Sequence, residues 1–200
     1  MYTAGWLLSS LFALTATALP TTNLASRSSG GSNSDTINIE VCNQCDSTKH
    51  FGLYQITSAF NMLSHMNPIT IPSNGTQTIT APYKQTGMRL SGHAEWGLAG
   101  QWKTQALFEF GYSQYGDLDG TAYNLSKMDG SEDDEDVGLA VYPTVDGEAC
   151  DECPSKICTS GNCDLSQAWT DPDQTADGSP ADTVCYKGKP AFKVVFCPSA

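Results

Sequence analysis

Short runs of β-branched and aromatic residues recur along most of this chain, with turn residues between them. In Thr86–Ser91, for example, Met88 and Leu90 share one face and Arg89 lies on the other, as in a half-buried strand. The pattern predicts strands at Ile37–Cys45, Phe51–Ile56, Thr76–Thr80, Thr86–Ser91, Thr104–Phe110, Thr121–Ser126, Gly138–Tyr142 and Ala191–Cys197. A weak helical pattern covers only Ile56–His65. Many short strands separated by turns predict an all-β sandwich or barrel.

The first 35 residues are unlike the rest. Residues 1–18 contain a short apolar run that ends in Ala16-Thr17-Ala18, a small-residue cleavage pattern, so we interpret them as a signal peptide. Residues 19–35 are rich in Ser, Thr, Gly and Asn and predict a flexible leader. The folded domain is expected to cover residues 36–200, as a soluble, secreted monomer.

Eight cysteines in an exported chain predict disulfides. They are Cys42, Cys45, Cys150, Cys153, Cys158, Cys163, Cys185 and Cys197. The two Cys-x-x-Cys pairs also match zinc and redox patterns, but the export route and the absence of a βαβ pattern disfavour both interpretations. Spacing alone leaves 105 connectivities open. Five of the cysteines lie in residues 145–190, which lack periodicity and predict a disulfide-rich loop region.

The formal net charge of −12 argues against nucleic acid and anionic membranes as partners. The acidic run at 132–136 is interpreted as a solvated loop. The three histidines lack metal spacing and no hydrolase signature is complete, so neither a metal nor a cofactor is expected.

Asn74 and Asn124 begin N-glycosylation sequons.

Several segments, in their order along the chain, resemble the thaumatin-like proteins, and most of all the short fungal secreted and antigenic members. They are Ile39-Glu40-Val41 with Asn43 and Cys45, then Ala106-Leu107-Phe108-Glu109-Phe110, Tyr123-Asn124-Leu125-Ser126-Lys127-Met128-Asp129-Gly130, and Phe192-Lys193-Val194-Val195-Phe196-Cys197-Pro198. The resemblance covers Thr36–Tyr142 in pieces, plus the last strand. It implies an antiparallel β-sandwich with stapled loops and a disulfide between Cys45 and Cys197.

The resemblance also implies a cleft of one Arg, one Glu and three Asp. Arg89 falls on the Arg, Glu109 on the Glu and Asp129 on one Asp, whereas another Asp position holds Asn124. The last Asp is expected near Asp171 or Asp173. Because Asn124 cannot ionise, the departure weakens the case for glycoside hydrolysis, which needs two carboxylates. An ion pair of Arg89 with the carboxylates is the competing interpretation.

The implied function is binding of cell-wall β-glucan at the wall or host interface, with an antifungal role among the implied activities. Arg89, Glu109, Asn124 and Asp129 would bind sugar hydroxyls, and Trp96 or Trp102 would stack on a ring. One alternative is a weak endo-β-1,3-glucanase that uses Glu109 as proton donor and Asp129 as nucleophile or base. The other is a structural or antigenic wall protein without a ligand. The sequence favours a binding protein over an enzyme.

Overall fold

The computed structural model describes residues 35–127, 137–161, 163–171, 174 and 181–199. The predicted signal peptide and nearly all of the leader lie outside these residues. The strands are β1 (Thr36–Asn43), β2 (Lys49–Ile56), β3 (Met62–Ser64), β4 (Ile69–Ile71), β5 (Gly75–Pro82), β6 (Met88–Ser91), β7 (Ala106–Tyr115), β8 (Leu118–Lys127), β9 (Leu139–Val145), β10 (Glu148–Ala149), β11 (Lys156–Cys158), β12 (Thr183–Cys185) and β13 (Ala191–Phe196). A 3-10 turn (Ala94–Trp96) and a one-turn helix, α1 (Gly97–Gly100), lie between β6 and β7.

The strands form two sheets. The first, sheet A, has the order β10-β9-β13-β1-β5, with β11 also paired to β9. The second, sheet C, has the order β12-β8-β7-β6-β2-β3, with β4 also paired to β2. Every pair is antiparallel except β1 with β13, which run parallel. The predicted all-β antiparallel sandwich is therefore confirmed.

Alternating side chains of the two sheets meet in one core. Phe192 of sheet A lies with its ring centroid 5.1 Å from that of Phe108 and 5.4 Å from that of Tyr123, both on sheet C. All three side chains are at most 2% exposed. Burial of such aromatic side chains supplies much of the hydrophobic free energy of folding.

The first and last described strands are neighbours, and a disulfide closes them. Ile39 pairs with Phe192 in the parallel register, and the Gln44 amide donates to the Phe196 carbonyl at 2.9 Å. Just beyond these strands the structure joins Cys45 to Cys197, with an S–S distance of 2.05 Å. This is the pair that the family resemblance implies.

Two further disulfides hold the C-terminal loop region, Cys153–Cys185 and Cys158–Cys163. The expectation that all eight cysteines form disulfides is wrong, because Cys42 and Cys150 are free thiols in the described structure. Cys42 lies inside a strand, where its neighbours in register are Thr76 and Val195 rather than a cysteine.

The other free thiol, Cys150, follows β10 directly. Its sulfur donates to a carboxylate oxygen of Glu152 at 3.1 Å. The nearest cysteine along the chain, Cys153, is already bonded to Cys185. Cys150 therefore has no partner available in its own segment.

The helical candidate at Ile56–His65 is wrong. The segment is the end of β2, a turn and β3, with Ile56 paired to Met62 and Tyr54 paired to Ser64. Phe60 occupies the turn with a left-handed φ of 56°, which interrupts any helix. The pairing with β2 therefore overrides the weak helical pattern. Among the described residues, no helix has the length and apolar character that crossing a bilayer requires.

Candidate functional site

A row of polar side chains crosses the outer face of sheet C. The strand registers place Tyr54 opposite Arg89, Arg89 opposite Glu109, and Glu109 opposite Asn124. Directly opposed residues of neighbouring strands project to the same side of a sheet. Since Phe108 and Phe110 face the core, Glu109 between them faces outward with the rest of the row. The structure thus brings together three of the residues that the sequence places in a cleft.

An ion pair occupies the middle of this row. The Arg89 Nη2 donates to Glu109 Oε1 at 2.9 Å, and the Arg89 Nη1 donates to the Gln101 carbonyl at 3.3 Å. Both side chains are largely covered, with 14% of Arg89 and 29% of Glu109 exposed. The Arg89 Nε is buried and has no hydrogen-bond partner among the described residues. The guanidinium therefore has one N–H donor, at Nε, that no described residue accepts from.

Burial raises the pKa of the Glu109 carboxyl above its ordinary value. The Arg89 charge and hydrogen bond work against that rise, and the negative charge of Asp182 adds to it. The net direction is upward because desolvation of the carboxylate outweighs the ion pair. Glu109 thus holds its proton at a higher pH than an ordinary glutamate does.

The row continues onto β12. Since Thr183 pairs with Tyr123, the preceding residue, Asp182, lies beside Asn124 at the far end of the row. The Trp169 indole Nε1 donates to Asp182 Oδ1 at 2.8 Å and fixes this carboxylate. The Asn124 Oδ1 is buried and lacks a hydrogen-bond partner in the described part of the chain.

Asp182 was not anticipated from the sequence, where the last cleft acid was expected at Asp171 or Asp173. Asp171 does not line the groove described below, and Asp173 lies outside the described residues. The only sequence signal for Asp182 is its place just before the β-branched residues of β12. That signal becomes useful only once β12 is known to pair with β8.

A groove of about 480 Å³ opens beside this row, over the next residues of the same strands toward the β7–β8 turn, and is lined by residues of β6, β7, β8 and β12. Its floor is made of small residues in register, with Gly111 opposite Ala122 and Gly87 beside Gly111. A Cβ atom on Gly111 would lie 3.1 Å from the Thr86 Cα, so the segment just before β6 approaches β7 too closely for a side chain there unless the backbone shifts. The missing side chains leave the groove open.

A second depression of about 250 Å³ adjoins the first and shares Ile56, Arg89 and Glu109 with it. Trp102 lines this second depression, and half of its surface is exposed. Trp96 lines neither of the two depressions and instead stacks on His93, with ring centroids 4.0 Å apart. Of the two aromatic candidates, Trp102 is therefore the one beside the ion pair.

Three predicted features stay untested by this geometry. Asp129 and the acidic run at 132–136 lie outside the described residues, so a Glu109–Asp129 pair stays a prediction. Among the sequon asparagines, Asn74 lies exposed in the turn before β5, whereas Asn124 lies within β8. No cluster of three or more His, Cys, Asp or Glu suited to a metal ion occurs in the described part of the chain.

The described residues form an all-β sandwich with three disulfides and a polar groove on one sheet. No family model and no curated protein matches the chain. Among solved structures, the protein elicitor MoHrip2 from Magnaporthe oryzae is similar, at 16% sequence identity and a TM-score of 0.49. The alignment covers 81% of this chain and 99% of that one.

Proposed function

We propose that this protein is secreted and binds a neutral cell-wall polysaccharide, of the β-1,3-glucan class, along the groove of sheet C. The observation that carries the proposal is the row of Arg89, Glu109 and Asn124 on the wall of a groove of about 480 Å³. Sugar hydroxyls both donate and accept hydrogen bonds, so they match a row that alternates donors and acceptors.

Two atoms of the row support a polar ligand directly. The Arg89 Nε and the Asn124 Oδ1 are buried, and neither has a partner among the described residues. Leaving a buried polar atom unpaired costs about 1–3 kcal/mol. A ligand hydroxyl that reached either atom after a small shift of the side chain would accept from Arg89 or donate to Asn124, and would remove that atom's share of the cost.

The charges of the groove favour an uncharged chain over a polyanion. Glu109 and Asp182 contribute negative charge, Arg89 is already paired with Glu109, and the whole chain carries a formal net charge of −12. A uronate or sulfate polymer would meet repulsion. The exposed ring of Trp102 next to the ion pair would pack on the apolar face of a pyranose.

The test is binding to insoluble β-1,3-glucan, followed by calorimetry with soluble laminari-oligosaccharides. Ala122→Trp fills the floor of the groove from a partly exposed position and is expected to abolish binding. Lys193→Met removes an exposed charge from sheet A and serves as the matched control, with binding unchanged. Retention of the wild-type protein no better than that of an unrelated acidic protein would refute the proposal and favour a wall component without a ligand.

A weak endo-β-1,3-glucanase is the second candidate, and one observation favours it. The raised pKa of Glu109 suits a general acid, which must carry a proton at its working pH. Hydrolysis also needs a second carboxylate, for which Asp182 and Asp129 are the candidates. Incubation with laminarin and a reducing-end assay separates the two functions. Sugar release that Glu109→Gln eliminates would establish the enzyme, whereas binding without release leaves the binding protein.

A further inference from the structure

The outward face of the β7–β8 hairpin continues well beyond the groove. Gly111 pairs with Ala122, Ser113 with Gly120, and Tyr115 with Leu118, and every second residue shares the face of Glu109. From Glu109 to Tyr115 there are six steps of about 3.4 Å, which gives a track of roughly 20 Å. This length accommodates several pyranose rings in a line.

Tyr186 stands on this track just past the groove. It follows Val184 of the groove wall by two residues, so it projects to the same face. A Cβ atom on Gly120 would lie 2.8 Å from the Tyr186 ring carbon Cδ1 and 2.5 Å from the Cys185 carbonyl oxygen. Because Gly120 has no side chain, the Tyr186 ring can pack against the hairpin, with its hydroxyl 3.5 Å from the Ser113 Oγ.

Tyr115 is the next side chain along the track. Its ring centroid lies 6.3 Å from that of Tyr186, with the planes tilted by 50°. Tyr115 is 73% exposed, so it buries little apolar surface and contributes little to the stability of the fold. The two tyrosines present an aromatic surface in line with the groove, at the end opposite Trp102.

We propose that Tyr115 and Tyr186 form an additional sugar-binding subsite, which receives a pyranose ring of the same uncharged chain that occupies the groove. The polysaccharide then runs parallel to β7 and β8, from Trp102 past the Arg89–Glu109 pair to the hairpin tip. The ligand class is an extended, unbranched neutral glycan rather than a short or globular sugar. This inference rests on the proposed function of the groove.

The test compares ligands of increasing length. Calorimetry with laminari-oligosaccharides from the disaccharide to the hexasaccharide is run on the wild-type protein and on Tyr115→Leu. We expect Tyr115→Leu to weaken hexasaccharide binding about tenfold, equivalent to about 1.4 kcal/mol, and to leave short ligands unaffected. Tyr115→Phe keeps the ring and is expected to bind like the wild type.

A matched control removes a comparably exposed aromatic elsewhere. Phe60 is 69% exposed in the β2–β3 turn, and Phe60→Leu is expected to bind every ligand normally. Equal weakening by Tyr115→Leu and Tyr115→Phe, equal weakening for short and long ligands, or no change in Tyr115→Leu would each overturn the subsite while the groove proposal stands. Absence of binding by the wild type at every length would instead overturn the groove proposal, and the subsite with it.

Discussion

Replacing Arg89 by methionine tests whether the groove contains a buried charge pair. The variant keeps the apolar stem and removes the guanidinium that lies 2.9 Å from the Glu109 carboxylate. At that distance Coulomb's law gives about 1.4 kcal/mol in water and about 6 kcal/mol at an effective dielectric constant of about 20. Desolvation of both groups offsets part of this attraction. With Arg89 14% and Glu109 29% exposed, we expect a loss of about 2–3 kcal/mol in the free energy of unfolding at pH 7.

The stability loss of Arg89→Met is expected to depend on pH, and the Glu109 pKa determines the direction of that dependence. Without Arg89, only burial and Asp182 act on the Glu109 pKa, and both raise it. A carboxyl whose folded pKa lies above its unfolded value takes up its proton more readily in the folded state, so stability falls as pH rises through that window. The deficit of Arg89→Met is therefore largest at pH 7 and shrinks towards pH 4. Urea unfolding followed by tryptophan fluorescence at both pH values measures it.

Two further variants make the result decisive. Adding Glu109→Gln to Arg89→Met removes the buried carboxylate charge that Arg89→Met leaves unpaired. The double variant is expected to recover about half of the lost free energy of unfolding. Lys193→Met, from an exposed pair with 3.5 Å separation on sheet A, is expected to cost less than about 1 kcal/mol. An Arg89→Met deficit no larger than that of Lys193→Met, or the same at pH 7 and pH 4, would refute the reasoning.

The remaining predictions concern the covalent features of the domain. Replacing Cys45 and Cys197 by alanine opens a loop with a sequence separation of 152, for which the chain-entropy relation gives a loss of about 5 kcal/mol in the free energy of unfolding. Opening the Cys158–Cys163 loop, with a separation of 5, is expected to cost about 2 kcal/mol. Equal losses in denaturant unfolding would contradict that relation. For protein secreted from a eukaryotic host, peptide mass spectrometry is expected to find a glycan on Asn74, which lies in an exposed turn, and none on Asn124, whose side-chain oxygen is buried. A glycan found on Asn124 would contradict the packing of that side chain in the groove.

The strands that the sequence predicts are those with long alternating patterns. Phe51–Ile56 falls within β2 and Thr104–Phe110 largely within β7, because apolar residues at alternate positions, such as Phe51 with Leu53 and Phe108 with Phe110, pack in the core. β12 has three residues in a stretch without periodicity, and its strand conformation depends on pairing with β8. Such pairing comes from distant parts of the chain, so local pattern cannot reveal it.

In the candidate site, too, local pattern predicts some features, whereas others depend on pairing between distant strands. Period-two alternation predicts that Arg89 faces away from Met88 and Leu90, and the family resemblance singles out Glu109 and Asn124. Strand register, which brings the three into one row, is set by tertiary pairing.

Asp182 joins that row, and Tyr186 lies over the β7–β8 hairpin, only because β12 lies along β8, where the Cys153–Cys185 disulfide ends. Neither residue belongs to a motif. Their positions in and beside the groove could not be predicted from the residues next to them in the sequence.

The position of β13 has a consequence for how the protein is made. β13 lies between β9 and β1, so without it sheet A is divided into two separate pieces. A ribosome completes β13 after all the other described strands, so the sandwich cannot close while the chain is still being synthesised up to Ala191. Until then β1 exposes an unpaired edge, a feature that favours aggregation. Folding of this domain should therefore depend on protection of the nascent chain, and its longest disulfide loop should close last.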